Sequence, residues 1–240
     1  MSKTKTLRLD SLILHRDKDY LVVNKPPFLS TLEDRVEEIN LLALAREVEP
    51  DAQVAHRLDK DTSGVLAIAR NPEAYRHLSM QFEHRTVTKV YHAVVDGRHD
   101  LKDVVVAARI LKQPDGMVKL SSRGKDAETT FNTLEIFSRH SLVECRPVTG
   151  RMHQIRIHLA SLGAPITGDT LYGGRPFLVS SVKRGFRMKK GEEEQPLIRR
   201  MALHAYSLEF KGLDGMKVSC EAPYPKDFSA LVRQLRSNRS

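Results

Sequence analysis

The sequence predicts a mixed α+β architecture rather than a doubly wound parallel sheet, on three observations. Strand-like and helical stretches do not alternate one for one. Between residues 104 and 148 several strand-like runs follow one another, with Gly116 and Gly124 as punctuation. The clearest helical periodicity comes late, at 151–162. A chain of 240 residues, 40% apolar and 29% charged, holds one generous domain or two small ones and can bury a core.

Taken in order, a short tail (1–11) precedes two short strands, 12–14 and 20–24, around the polar turn Arg16-Asp17-Lys18-Asp19. Lys25-Pro26-Pro27 ends the second strand, because proline cannot donate to a ladder. Residues 41–48 carry a helical pattern, and a polar loop, 56–64, feeds a buried strand at 65–69. Asn71-Pro72 opens a helix to about Phe82, with asparagine as cap and proline at the first helical position. The β-branched and aromatic run 89–95 is a strand closed by Asp96-Gly97. In the helix 151–162, Met152, Ile155, Leu159 and Leu162 form one stripe, and Gly163 sits where a left-handed cap belongs. A loop spans 173 to about 200, and strands at 203–210 and 216–220 and a helix at 227–235 complete the chain.

Thirty-nine Lys and Arg against 30 Asp and Glu leave a net charge of +9, with a pI near 9.6. That excess favours a polyanionic partner, of which nucleic acid is the commonest. No apolar run approaches the ~18–20 residues of a membrane span, and Arg8 and Asp10 interrupt any signal-peptide core. The reading is a soluble, intracellular, cytoplasmic protein with no membrane association. Cys145 and Cys220 alternate with apolar neighbours and read as small core residues.

The loop His56-Arg57-Leu58-Asp59-Lys60-Asp61-Thr62-Ser63-Gly64 places acids, bases and a histidine beside an apolar strand. A capped turn accounts for Asp61 to Gly64. It does not account for Arg57 and Asp59 alternating with Leu58, which in an extended segment puts both charges opposite a core residue. Arg156 lies at the edge of the helical stripe, where a guanidinium loses hydration and needs an acidic partner. That partner makes either a structural ion pair or a catalytic carboxylate held ionised and oriented. His153 and His158, five positions apart, diverge by about 140° around a helix and cannot share a metal ion. No metal-site, Walker or G-x-G-x-x-G pattern occurs. The basic segment from Gly185 to Gly191 reads equally as a solvated loop or a nucleic-acid contact.

His56-Arg57-Leu58-Asp59 with Thr62-Ser63-Gly64 resembles the signature of the RluA-type pseudouridine synthases. In the same order, Leu21-Val22-Val23-Asn24-Lys25-Pro26-Pro27 resembles the family's opening strand, and Lys89-Val90-Tyr91-His92-Ala93-Val94-Val95-Asp96-Gly97 its tyrosine strand. The stretch from Thr149 to Leu159, continued through Gly163, Pro165-Ile166, Gly168-Asp169 and Tyr172-Gly173, resembles its most distinctive block, and Leu203-His204-Ala205 its last. The likeness spans roughly residues 12 to 224.

The resemblance implies a mixed, largely antiparallel sheet with flanking helices, in one catalytic domain (12–240). Here the sequence departs from a frequent family pattern: with only about a dozen residues before the first matched strand, no separate N-terminal RNA-binding domain is expected. The resemblance also implies isomerisation of specific uridines in ribosomal or transfer RNA, with no cofactor, no metal and no obligatory protein partner, by a monomer. Asp59 would be the essential carboxylate, Arg156 its basic partner and Tyr91 the aromatic packed on the target uracil. Arg57 would fill the space left by the flipped base, and His56, Arg151 and His153 would join it in contacting RNA. Two other classes compete with this reading: a catalytically inactive RNA-binding protein on the same scaffold, and a basic metal-dependent nuclease. An acidic residue at 59 with Arg156 present argues against the first, and the lack of a metal-site pattern around Asp59, Asp61 and Asp169 against the second.

Overall fold

The computed structural model describes residues 7–33, 39–183, 185–187 and 191–238. Part of the basic 185–191 segment, and the first six residues of the expected tail, lie outside the described residues. The chain forms two compact units, one from residues 1–88 and 205–223 and the other from 89–204 and 224–240.

In the first unit, β1 (Ile13–Arg16), β2 (Tyr20–Lys25), β3 (Ser63–Ala69) and most of β10 (Leu203–Lys211) lie in that order, and β11 (Lys217–Glu221) pairs with β10. β1 with β2, β2 with β3, and β10 with β11 are antiparallel. All seven residues of β3 are buried, the apolar run 65–69 as expected and Ser63 and Gly64 with it. α1 (Leu41–Arg46) and α2 (Pro72–Glu83) flank these strands in sequence. Asn71 caps α2 by accepting the Ala74 N–H at 2.8 Å, which satisfies one of the orphan donors of the first turn. Ala74 and Leu78 of α2 pack with Tyr20, Val22, Val65 and Ala67 of the strands. Part of the expected tail is structured: Leu9–Leu12 form a 3₁₀ turn with Leu9 buried.

In the second unit, β4 (Thr88–Asp96), β9 (His140–Pro147), β8 (Glu128–Ile136) and β5 (Val104–Ala107) form an antiparallel sheet in that order. A separate hairpin joins β6 (Ile110–Lys112) to β7 (Val118–Leu120). α3 (Gln154–Ser161) and α4 (Lys226–Ser237) complete it. On α4, Phe228, Leu231, Val232 and Leu235 are buried, the i, i+3, i+4, i+7 stripe of a core-facing helix. At about 1.5–3 kcal/mol for each such side chain, this face is a main source of the unit's stability. The architecture is the mixed, mostly antiparallel α+β arrangement expected.

Two local expectations are corrected. α3 begins at Gln154, not residue 151, because His153 takes a left-handed conformation (φ 52°) that interrupts the turn. Met152 therefore leaves the Ile155 and Leu159 stripe and packs instead with Ile110, Val118 and Ile157. Gly163 takes the predicted left-handed conformation, φ 71°. Cys145 is buried as expected, and burial pushes its thiol well above its usual range, but Cys220 is only partly so. Among the described residues no helix is long and apolar enough to cross a membrane.

Candidate active site

The loop after His56 is pinned at its centre. Leu58 is buried, Arg57 exposed and Asp59 half-buried, the alternation that the sequence pattern required. The Thr31 hydroxyl, itself buried, donates to the Leu58 carbonyl at 3.0 Å and accepts the Leu58 N–H at 3.2 Å. The Thr62 N–H donates to the Asp59 carbonyl at 3.0 Å, closing a turn. Gly64 is required here: at φ 117°, a Cβ would stand 2.0 Å from the Ala205 carbonyl oxygen on the neighbouring strand.

Lys25 holds the same loop from below. Its side chain is fully buried. An ammonium in that setting is tolerable only with its donors satisfied. Nζ donates to the carbonyls of Leu29 at 2.8 Å, Lys60 at 3.0 Å and Pro26 at 3.1 Å. The last residue of β2 and the turn that follows it are thus tied to the residue after Asp59. In that turn Phe28 has φ 65°, a left-handed geometry that costs a side-chain-bearing L-residue roughly 1–2 kcal/mol, and its N–H donates to the Lys60 carbonyl at 3.0 Å. His56 anchors the loop's start: Nε2 accepts the Ala67 N–H at 3.0 Å, and the ring stacks on Phe82 at 4.5 Å. That acceptor role fixes the tautomer with the proton on Nδ1.

The second unit carries the other candidates. Tyr91 is half-buried on β4, opposite Cys145 of β9 and packed on the unit's core. Gln154, buried, uses its whole amide: Oε1 accepts the Thr149 hydroxyl at 2.7 Å and the Arg151 N–H at 2.9 Å. Nε2 donates to the Glu128 carbonyl at 2.9 Å and Thr129 Oγ1 at 3.0 Å. Arg151 is thereby fixed at the foot of α3, and its own Nε donates to the Asp126 carbonyl at 3.0 Å.

Arg156 meets Asp169 in a two-pronged ion pair, Nε to Oδ2 at 2.6 Å and Nη2 to Oδ1 at 2.8 Å. The side chains are 11% and 2% exposed, so little water competes with the pair. The guanidinium also stacks over the Tyr172 ring, 4.9 Å from its centre, and the Tyr172 hydroxyl bonds His153 Nδ1 at 2.9 Å. Asp169 is presented by a tight turn in which its carbonyl accepts the Tyr172 and Gly174 N–H groups. Gly174 has no alternative there, since a Cβ would lie 1.8 Å from the Ile166 carbonyl oxygen. His158 turns elsewhere: Nδ1 bonds the Thr129 hydroxyl and Nε2 the Ala108 carbonyl, and burial holds its pKa below the usual value.

The sequence pattern found Arg156 and its need for a carboxylate, but not that Asp169 meets it, because Asp169 lies thirteen positions on, beyond the end of α3 and an irregular stretch. The flanking Gly168, Gly173 and Gly174 were the available signal of a tight, presenting turn. Lys25 and Thr31 were missed as supports of the Asp59 loop. A lysine closing an otherwise apolar strand was the hint. Asp59, Arg57 and His56 belong to the first unit, and Tyr91, Arg151, His153 and Arg156 to the second. Among the described residues no three His, Cys, Asp or Glu side chains gather as metal ligands would.

This loop, with its carboxylate on a doubly anchored turn, sits in a chain whose residues 19–161 match a family model described as RNA pseudouridylate synthase. The chain belongs to that family. Ribosomal large subunit pseudouridine synthase C of Vibrio cholerae is 36% identical over 211 residues, 86% of this chain and 63% of the relative's length. Ribosomal large subunit pseudouridine synthase D of Xanthomonas campestris is 36% identical over 246 residues, 94% of this chain and 70% of the relative. Among solved structures, human RNA pseudouridylate synthase domain containing 4 superposes with a TM-score of 0.74 at 26% identity, covering 95% of this chain and 94% of that one.

Proposed function

We propose that this protein is an RNA pseudouridine synthase that isomerises specific uridines of large-subunit ribosomal RNA, acting in the cytoplasm as a monomer. The observation that carries the reading is Asp59. It is an acidic residue on a loop that Thr31 and Lys25 hold rigidly, in a chain of this family. A carboxylate so placed can reach the sugar–base junction of a uridine turned out of its stack. There it serves either as nucleophile at the sugar carbon or as base for a sugar proton. The detached uracil then turns and rejoins through carbon.

In this reading Arg156 is the basic residue of the reaction. Two of the five N–H donors of a guanidinium go to Asp169, which fixes the plane of the group. Tyr91 packs on the extruded uracil, as an aromatic face suits a base taken out of its stack. Arg57 fills the vacated space in the RNA. His56, through its bonds to the strand, presents Arg57, and Arg151 and His153 contact the backbone near the target. The reaction calls on no cofactor and no partner protein.

The test is Asp59→Asn, which keeps shape and removes charge. With unmodified large-subunit ribosomal RNA transcript as substrate, pseudouridine formation should fall below detection while RNA affinity stays within about two-fold. Substantial turnover by Asp59→Asn would overturn the assignment.

A further inference from the structure

We infer that Phe28 is a base-stacking residue, which holds an unpaired nucleobase of the RNA beside the uridine that Asp59 engages. The inference rests on the proposed RNA-modifying function and adds a contact to it.

Phe28 is at odds with what folding alone would select. Its φ of 65° is one that turns normally reserve for Gly or Asn, and a bulky residue there is a genuine outlier. Burial does not compensate, because the residue remains 50% exposed. A ring that is both strained and in water gains little in the folded chain. Strained positions persist where the surroundings over-determine them, and they cluster at functional sites.

The surroundings do over-determine it. Lys25 Nζ draws in the carbonyls of Pro26 and Leu29 on either side, so the chain must curl around the ammonium at Pro27 and Phe28. The Phe28 N–H is tied to the Lys60 carbonyl, which Lys25 also holds. The ring is therefore displayed in fixed relation to the residue after Asp59. Rigid placement of an aromatic face at low entropy cost is what a stacking platform needs.

The occupant follows from the charge and shape of what is displayed. Leu32, in the stretch that follows, is 38% exposed, and Arg57 is exposed next to Leu58, whose N–H and carbonyl meet the Thr31 hydroxyl. Apolar and aromatic faces beside an arginine, on a chain of net charge +9, suit a single-stranded nucleic acid, whose bases offer π-faces and whose backbone is anionic.

The chain contains no tryptophan, so Phe28→Trp makes a protein with a single indole at the position in question. Titration with oligouridylate should quench its fluorescence, while inorganic polyphosphate, which has charge but no bases, should leave it unchanged at saturation. Separately, Phe28→Gly should relieve the left-handed backbone and melt no lower than wild type. It should nevertheless lose about 10-fold in kcat/KM on large-subunit ribosomal RNA transcript, mainly through KM, and Phe28→Trp should retain most of the activity. An indole that responds equally to both polyanions, or to neither, overturns the inference. So does a Phe28→Gly enzyme with wild-type KM, the outcome expected if this face meets a protein. A wild-type protein that makes no pseudouridine overturns the proposed function instead, and the quenching experiment still decides the stacking role.

Discussion

Replacing Asp169 with Asn removes one charge and almost no volume from the pair that Arg156 makes at 2.6 and 2.8 Å. The two charge centres lie about 4 Å apart, and at an effective dielectric of about 20 this corresponds to roughly 4 kcal/mol of attraction. Breaking such a pair from one side typically costs about 3–5 kcal/mol, because the remaining charge stays desolvated. Asn keeps one oxygen as acceptor for the guanidinium, so the lower end applies, about 3 kcal/mol. For a chain of this size each kcal/mol moves the melting temperature by about 2–4 °C, giving a fall of roughly 6–12 °C. Arg236 with Glu135 provides the internal control. It too is a forked pair, Nε to Oε2 and Nη2 to Oε1, but its side chains are 54% and 20% exposed, and exposed pairs are worth about 0–1 kcal/mol. Glu135→Gln should therefore lower the melting temperature by no more than about 4 °C, and salt should shrink that difference further. The loss in Asp169→Asn should persist in high salt. Calorimetry of both variants at neutral pH, at low and high ionic strength, gives the answer. Equal shifts for the two variants, or an Asp169 effect abolished by salt, would refute the reasoning that burial of Arg156 makes its partner indispensable.

Lys25→Met keeps the length of the side chain but leaves the carbonyls of Pro26, Leu29 and Lys60 without their shared donor. Stability should drop by at least about 2 kcal/mol in urea titration, and kcat should suffer more than RNA affinity; an unchanged midpoint would deny the lysine its supporting role. Because burial holds the pKa of His158 below its ordinary 6.5, the unfolded chain binds the proton first. Stability should thus fall as pH drops below about 6.5, and His158→Gln should flatten that slope; parallel slopes in the two proteins would contradict it. Arg57→Ala should lose roughly 10-fold more activity on a stem-loop than on an unstructured RNA of the same sequence, where flipping is cheap, whereas equal losses would remove its gap-filling role. Turnover in excess chelator should match turnover without it once the RNA is folded, and a need for added zinc would contradict the carboxylate chemistry assigned to Asp59.

Where short-range rules govern, the sequence alone was enough. Alternation about Leu58 told that Arg57 and Asp59 face away from the core, the Asn71-Pro72 pair marked the start of α2, and Gly163 marked the end of the α3 region. The unbroken apolar run of β3 announced burial on both faces. The motif order around Asp59, Tyr91 and Arg156 was sufficient to name the family, because each block reports a local backbone and side-chain requirement that few other residues can meet.

Tertiary structure alone decided the long-range pairings. No spacing rule connects Arg156 to Asp169, Lys25 to the Lys60 carbonyl, or Gln154 to β8, since irregular chain of any length could bring such groups together or keep them apart. Nor could periodicity foresee the left-handed His153, which starts α3 late and sends Met152 to the β6–β7 hairpin. A helix pattern records which residues are apolar, not which of two apolar surroundings will receive them. Phe28 shows the same limit from the other side. Its sequence neighbours Pro26 and Pro27 signal a turn, but only the convergence of carbonyls on a buried ammonium determines that the turn must bend through a left-handed residue and leave an aromatic ring facing water.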